Sequence, residues 1–185
     1  RNAVYGALPS TIKDEIPELK KVVSVFPQGG LLVNVPNETS SNQTQQFKVD
    51  EEGAVFTEPS YFEVFDFNNT SSKWIYGSPS ASLSEPFTVV LSQQLAEKFF
   101  GNEHPIGKSL TIYNQPCKVT GLISAPPVNT DFPFQMFVSY SSIEKMDANF
   151  SKNWGNLGNL ECYVVLNNSS QIALVEEKIK NIHTQ

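Results

Sequence analysis

Four sets of residues in the 185-residue chain could do chemistry, and the first is the stretch Gly101-Asn-Glu-His-Pro-Ile-Gly107-Lys108-Ser109. Its glycines and lysine-serine pair resemble a phosphate-binding loop, where backbone amides cradle phosphates and the lysine reaches the terminal groups. The spacing is one residue too long. Pro105 removes an amide donor. The flanking pattern also puts a helix before the loop and a strand after it, the reverse of a phosphate loop. A helix-to-strand turn is the expectation. The second set is His104 and His183, the only histidines. Neither has a Cys, His or Asp partner at ligand spacing, and two histidines cannot make a three-histidine zinc site. No G-x-S-x-G elbow offers a serine nucleophile. The third set is the two cysteines, Cys117 and Cys162. They are too few for a disulfide scaffold or a four-cysteine metal site. Two inert, buried thiols are the preferred reading. A single disulfide is the alternative, and it requires Cα atoms within about 7 Å. The fourth set is Glu51, Glu52, Glu63 and Asp66, which read as a solvated acidic face. Nothing selects a glycosidase pair among them. No cofactor or metal is expected.

The elements that must position these residues read as α+β, with many short strands and three helices. A helix is predicted over 10–16, capped by Ser10 or Thr11 and ended near Pro17. Val22 to Phe26 and Leu31 to Val35 read as strands around a Gly29-Gly30 turn. Residues 37–46 and 68–73 are polar loops. Glu52-Gly53 reads as a hairpin turn between Phe47–Val49 and Ala54–Thr57. In Tyr61 to Phe67, aromatic and acidic positions alternate, and Phe62, Val64 and Phe65 want burial. Residues 78–86 are a Ser/Pro-rich connection.

The clearest segment runs from Phe87. A strand over 87–91 leads to Ser92, an N-cap for a helix over Gln93 to Phe100. Leu95/Phe99 and Ala96/Phe100 repeat at four-residue spacing, and Gly101 ends the helix. Strands follow at Ser109–Tyr113 and Cys117–Ile123, with a turn at Asn114–Pro116, and another at Phe134–Tyr140. Residues 147–160 are irregular, with Trp154 as the only large anchor. A strand at Glu161–Leu166 precedes a helix over 171–182, capped by Ser170, with Ile172, Val175, Ile179 and Ile182 on one face. No strict βαβ alternation suggests a doubly wound sheet. The helix-strand opening and strand-helix close could pair, with the middle of the chain inserted between them.

Composition bounds the class of function. Thirteen Phe, six Tyr and two Trp can build a core, so the chain is not disordered. The formal net charge is −6 and Lys and Arg are nowhere clustered. Nucleic acid and anionic headgroups are therefore not expected partners. No apolar run approaches the roughly 20 residues of a spanning helix. The start at Arg1, without a charged-then-apolar leader, suits a segment cut from a longer protein. Seven Asn-x-Ser/Thr matches, at Asn37, Asn42, Asn68, Asn69, Asn149, Asn167 and Asn168, mark expected loops.

Five segments in order carry a resemblance: KDEIPELKKVVSVFP (13–27), EPSYFEVFDF (58–67), SEPFTVVLSQQLAEKFFGNEHPIGKSLTI (84–112), CKVTGLISAPPVNTDFPF (117–134) and CYVVLNNSSQIALVEEKIKNI (162–182). Together they resemble the MacB-like periplasmic core domain of ABC-transporter permeases of the MacB/FtsX superfamily. The polar insertions at 37–46 and 68–73, the Pro126-Pro127 pair and Phe132 depart from the family pattern.

The resemblance implies an α+β domain in two parts. One is a porter-like subdomain formed by both chain ends, 1–66 plus 159–185. The other is an inserted, β-rich, sabre-like subdomain over 67–158. It implies a non-enzymatic domain on the periplasmic face of a bacterial inner membrane, with one spanning helix before residue 1 and three after residue 185. ATP hydrolysis would reside in a separate cytoplasmic nucleotide-binding domain or subunit. The implied partners are the permease's own transmembrane helices, a second permease copy, that ATPase, a periplasmic adaptor and an outer-membrane channel. The implied tasks are export, efflux or lipoprotein release. Two rival readings stand beside it. One is a secreted or surface binding module. The other is an extracytoplasmic hydrolase, which needs His104 or His183 in a cleft with a Ser and an Asp.

Overall fold

Strand propensity dominates the chain, and strands need partners for their backbone amides. A computed structural model describes residues 3–36, 43–51, 53–65, 73–126, 129–155 and 158–182. The strands are β1 (Leu19–Gln28), β2 (Leu32–Pro36), β3 (Thr44–Lys48), β4 (Ala54–Thr57), β5 (Trp74–Tyr76), β6 (Thr88–Ser92), β7 (Ser109–Ile112), β8 (Gln115–Ile123), β9 (Met136–Ser139) and β10 (Glu161–Leu166). The helices are α1 (Leu8–Glu15), α2 (Tyr61–Val64), α3 (Pro79–Ser82), α4 (Gln93–Phe100), α5 (Ser141–Met146) and α6 (Ile172–Ile182). All ten strands join one mixed sheet in the order β10-β1-β4-β9-β6-β8-β7-β2-β3, with β5 on the side of β8. The α+β expectation holds.

The sheet cannot be flat. β1 and β2 lie six places apart in it, which is about 29 Å at ordinary strand spacing. Only residues 29–31 join them, and that link reaches at most about 14 Å. The sheet therefore curls back on itself. Tyr113, in the turn after β7, donates from its hydroxyl to Gln28 Oε1 at the end of β1, 2.7 Å away. The interior of the curl holds Val33, Val35, Phe56, Val89, Leu91, Leu110, Val119, Met136 and Val138, with Leu95 and Phe99 of α4 over them. Alternate residues of the same central strands (Val55, Val90, Phe137) face outward into a second cluster under Tyr61 and Phe62 of α2. Both faces of β4, β6 and β9 are thus buried, which is why these strands read as continuous apolar runs.

The two ends of the chain do pair. β1 and β10 run antiparallel from Leu19↔Leu166 to Val25↔Glu161. Leu8 and Ile12 of α1, Ile16 just after it, and Val175 and Ile182 of α6 share one apolar cluster with Val22. The sheet also runs across the segments 1–66, 67–158 and 159–185 through the β4–β9 and β2–β7 pairings.

Several local expectations need correction. The first helix begins at Leu8, with Pro9 in its first turn. The Ser10 and Thr11 hydroxyls do not cap it. They donate to the Ala7 carbonyl, each at 2.9 Å. Residues 44–46, read as polar loop, are strand, because β2 offers an antiparallel partner from Leu32↔Lys48 to Pro36↔Thr44. Residues 37–42 and 68–72 lie outside the described residues. Gly53 does not turn a hairpin, since β3 pairs with β2 and β4 with β1 and β9. The β7–β8 turn is Tyr113-Asn114, with φ of 50° and 62°. Two such residues make the mirror-image turn that tight hairpins favour. Within 147–160, Leu160 is fully buried and Phe150 packs in a tilted pair with Phe26, ring centres 5.3 Å apart, while Trp154 is exposed. A 3-10 turn over Ser169–Gln171 precedes α6, and Asn168, not Ser170, caps it. Ile172 lies outside the buried face of α6 and is exposed. The helices α2, α3 and α5 are three more than expected. Each is only four to six residues long, too short for periodicity to reveal.

Candidate functional site

In the loop that resembles a phosphate cradle, four backbone amides are already bonded within the chain. Ser92 Oγ caps α4 by accepting from the Leu95 amide, 3.1 Å away, and Gly101 ends the helix at φ 63°. From there the amides turn inward. Gly101 N–H donates to Glu97 O (2.8 Å), Glu103 N–H to Phe100 O (3.2 Å), Gly107 N–H to Val119 O (2.8 Å) and Lys108 N–H to Pro105 O (3.1 Å). The Lys108 ammonium lies 2.5 Å from Glu103 Oε2 and 5.7 Å from the centre of the Phe100 ring. Gly107, at φ 87°, provides the left-handed residue that delivers the chain into β7. The motif is a helix-to-strand turn, as its context suggests.

His104 sits edge-on to Tyr76, with ring centres 5.8 Å apart, beside an open depression of about 300 Å³. The lining, Gln93, Ala96, Glu97, Gly101, Asn102, Glu103, His104, Pro105 and Leu122, holds no serine and no aspartate. A hydrolase built on His104 is therefore not assembled there. His183 lies outside the described residues. Among the described residues, no three His, Cys, Asp or Glu side chains gather to hold a metal.

Cys117 and Cys162 are both free. Cys117 packs inside the curl. Cys162 packs under α1 and α6 in a different cluster, so the two thiols do not meet. Burial raises the Cys117 thiol to about 11. Burial, reinforced by the Glu58 carboxylate, raises Cys162 to about 12. Neither is a thiolate at neutral pH, and the thiolate is the nucleophile. Of the acidic face, Glu51 pairs with Lys48 at 3.1 Å and Glu63 pairs with Lys21. Glu52 and Asp66 lie outside the described residues.

Sequence reasoning did not single out Glu58, a carboxylate that binds two groups of a fully buried serine. β4 ends at Thr57, opposite Val25 of β1. The next ladder position on β1 is Ser24, and side chains take over the role of backbone there. Ser24 N–H donates to Glu58 Oε2 at 2.5 Å, and Ser24 Oγ donates to Oε1 at 3.2 Å. Thr57 Oγ1 donates to Ser24 O at 2.6 Å. Lys13 of α1 closes the group, 2.6 Å from Glu58 Oε1. Ser24 and Thr57 are fully buried, so the inner half of this polar knot is closed to substrate, while Lys13 reaches solvent. It fastens α1 to the sheet. Its only trace in the sequence is that Glu58 directly follows the strand Ala54–Thr57.

Among sequons in the described residues, Asn167 donates from Nδ2 to Glu18 O at 2.8 Å, and Asn168 accepts from Ser170 N–H at 3.0 Å. Both side chains have structural work. The large aromatic surface of the 58–67 motif is also structural. Tyr61, Phe62 and Phe65 pack in tilted and edge-to-face pairs among Phe132, Phe134, Phe137, Trp74 and Tyr163, with ring centres 4.5–6.4 Å apart. What the residues build is a stiff body whose polar groups are largely spent on itself.

Comparison with known proteins agrees with that picture. No curated protein matches the chain by sequence. Among solved structures, a crystal structure of a domain described as that of a permease protein from Porphyromonas gingivalis superposes with a TM-score of 0.71 at 19% identity, over 100% of this chain and 73% of that one. The periplasmic region of MacB from Actinobacillus actinomycetemcomitans gives 0.63 at 16% identity, over 100% of this chain and 77% of that one. The extracellular domain of the noncanonic ABC-type transporter YknZ from Gram-positive bacteria gives 0.59 at 15% identity, over 99% and 86%. At these identities the likeness is one of fold. The family assignment comes from the sequence profile of the MacB-like periplasmic core domain, which matches residues 3–182. The chain belongs to the MacB-like periplasmic core domain family, whose members are extracytoplasmic domains of ABC-transporter permeases.

Proposed function

We propose that this domain couples ATP hydrolysis in the cytoplasm, mechanically, to partners outside the inner membrane, for export, efflux or lipoprotein release. The observation that carries the reading is where the chain comes in and goes out. Val4 and Ile182 pack against the same small cluster, at one side of the domain. A domain strung between two membrane helices requires that arrangement. Segments 1–66 and 159–185 bring β1 and β10 nearest those helices, and the strands of 67–158 stand between β4 and β2 in the same sheet. The β4–β9 pairing supports movement of both parts as one body. A nucleotide-driven shift of the transmembrane helices then displaces the whole domain, with small rearrangement inside it. The partners are a second permease copy, the cytoplasmic ATPase and an extracytoplasmic adaptor with its outer-membrane channel.

The test is made on the intact transporter in membranes. A spin label at Asn102, on the exposed turn after α4, reports the distance between the two copies. Binding of ATP should shift that distance, while distances between two labels within one copy stay fixed. An unchanged inter-copy distance overturns mechanical coupling. The protein sequence on either side of residues 1–185 should contain apolar runs of about 20 residues. Their absence overturns the transporter reading as a whole.

A further inference from the structure

The depression beside His104 joins an apolar wall to an excess of negative charge. Ala96, Pro105 and Leu122 supply the wall, while Glu97 and Glu103 line the same space and no Lys or Arg does. A second depression, of about 280 Å³, shares Glu97, Gly101 and Glu103, but there Lys98 and Lys108 balance the charge. The two carboxylates differ in what they already hold. Glu103 is paired with Lys108 at 2.5 Å. Glu97 accepts from the neutral Gln93 Nε2 at 3.1 Å, and among the described residues no cation pairs with it. Gly101, where α4 ends, belongs to the same lining, and the C-terminal pole of a helix adds partial negative charge.

β5 brings an aromatic ring to this space. Tyr76 pairs in register with Leu122 of β8, which lines the depression. Its ring stands perpendicular to that of His104, with centres 5.8 Å apart. Tyr76 is nevertheless 50% exposed. A half-exposed tyrosine beside an apolar wall is the type of residue that anchors protein interfaces, and its ring face attracts cations.

We propose that this depression docks an arginine side chain of a partner protein. The stem of the arginine packs on Ala96, Pro105 and Leu122, its guanidinium reaches Glu97, and the Tyr76 ring flanks it. The charge of the lining selects a basic guest over a neutral or acidic one. The aromatic and apolar wall selects arginine over lysine, because a guanidinium is planar, weakly hydrated, stacks on rings and meets a carboxylate through two parallel hydrogen bonds. The inference rests on the depression itself and does not depend on the transport reading.

The test uses the full-length protein in lipid nanodiscs, with the substitution Tyr76→fluorotyrosine. The fluorine resonance is followed at constant ionic strength as blocked tripeptides are added, each with arginine, lysine, citrulline or leucine between two alanines. A saturable shift with the arginine peptide is expected. The neutral citrulline peptide should bind about 10-fold more weakly, and Glu97→Gln should lower the affinity for arginine about 3–5-fold. Glu97 is exposed, so its replacement leaves the core intact. The absence of a shift, an equal response to citrulline, a stronger response to lysine or leucine, or an affinity unmoved by Glu97→Gln overturns the proposal. Calorimetry on the unlabelled protein should give the same order of affinities, and a different order overturns the proposal even if the label disturbs β5. A protein that fails here and still shows the ATP-driven shift between copies keeps its transport role, and the converse result leaves the docking site standing.

Discussion

Replacing Glu58 by alanine should cost the domain about 2–3 kcal/mol, most of it from an amide rather than from an ion pair. The carboxylate accepts from the Ser24 amide and hydroxyl at 2.5 and 3.2 Å and from Lys13 at 2.6 Å. Lys13 is 43% exposed, and ion pairs with an exposed partner contribute about 0–1 kcal/mol. Ser24 is completely buried. Its amide has no strand opposite it once β4 has ended, and a buried orphaned donor costs about 1–3 kcal/mol. Lys13→Ala should therefore cost less than about 1 kcal/mol. Glu58→Gln, which keeps an acceptor oxygen for Ser24, should fall between the two. In a domain of this length, 2–3 kcal/mol lowers the melting temperature by roughly 4–12 °C. Urea unfolding of the wild type and the three variants measures the series. If Lys13→Ala destabilises as much as Glu58→Ala, the ion pair dominates and the argument from the orphaned amide is refuted.

Both thiols should resist alkylation at pH 8 in the folded protein and react at least about 100-fold faster in urea, because burial lifts Cys117 to about 11 and Cys162 to about 12 while an unfolded thiol stays near 8.5. Since folding raises these values, the associated stability is complete below the unfolded value and is lost as the pH rises through the folded ones. Comparison of urea midpoints at pH 8 and 10 for the Cys162→Ala variant and the wild type measures that loss. The Glu18 carboxyl is lowered, chiefly by its hydrogen bond from Lys178. Its contribution is present above the ordinary carboxylate value and lost as the pH falls through the lowered one, and Lys178→Met should abolish that acid dependence. Gly107→Ala should cost about 1 kcal/mol or more by calorimetry, from the backbone alone, because φ is +87° and a Cβ there meets open space. Lys108→Ala should leave nucleotide titrations of the domain as flat as those of the wild type, since four of the loop amides are already bonded within the chain and the Lys108 ammonium is paired with Glu103.

The sequence was most legible where several local signals agreed. The helix Gln93–Phe100 has a capping serine, apolar residues four apart and a terminal glycine, and each acts as its type suggests. The strand Glu161–Leu166 is a dense β-branched and aromatic run with no competing helix period, and its bounds match. Legibility failed where tertiary partners decide. Thr44, Gln45 and Gln46 are polar and become strand because β2 lies beside them. Gly53 looks like a hairpin turn, yet the strands on either side of it pair with others. Phe150 is an anchor because Gly6, without a side chain, lets the two backbones touch: a Cβ on Gly6 would lie 2.2 Å from the Phe150 carbonyl oxygen. No local pattern distinguishes Phe150 from the larger Trp154. Glu58 was illegible for the same reason, since its role depends on where β4 stops against β1.

The β1–β10 pairing has a consequence for how the domain is made. Val22 and Val164 are partners in the sheet, separated by about 140 residues of sequence, and such distant contacts slow folding. During synthesis β1 emerges early and its partner nearly last. For most of that interval an apolar, strand-forming segment waits with one edge unsatisfied, the state most prone to pair with a neighbouring chain. The domain therefore matures as a late, all-at-once event, and its yield should depend on whatever shields β1 until β10 arrives.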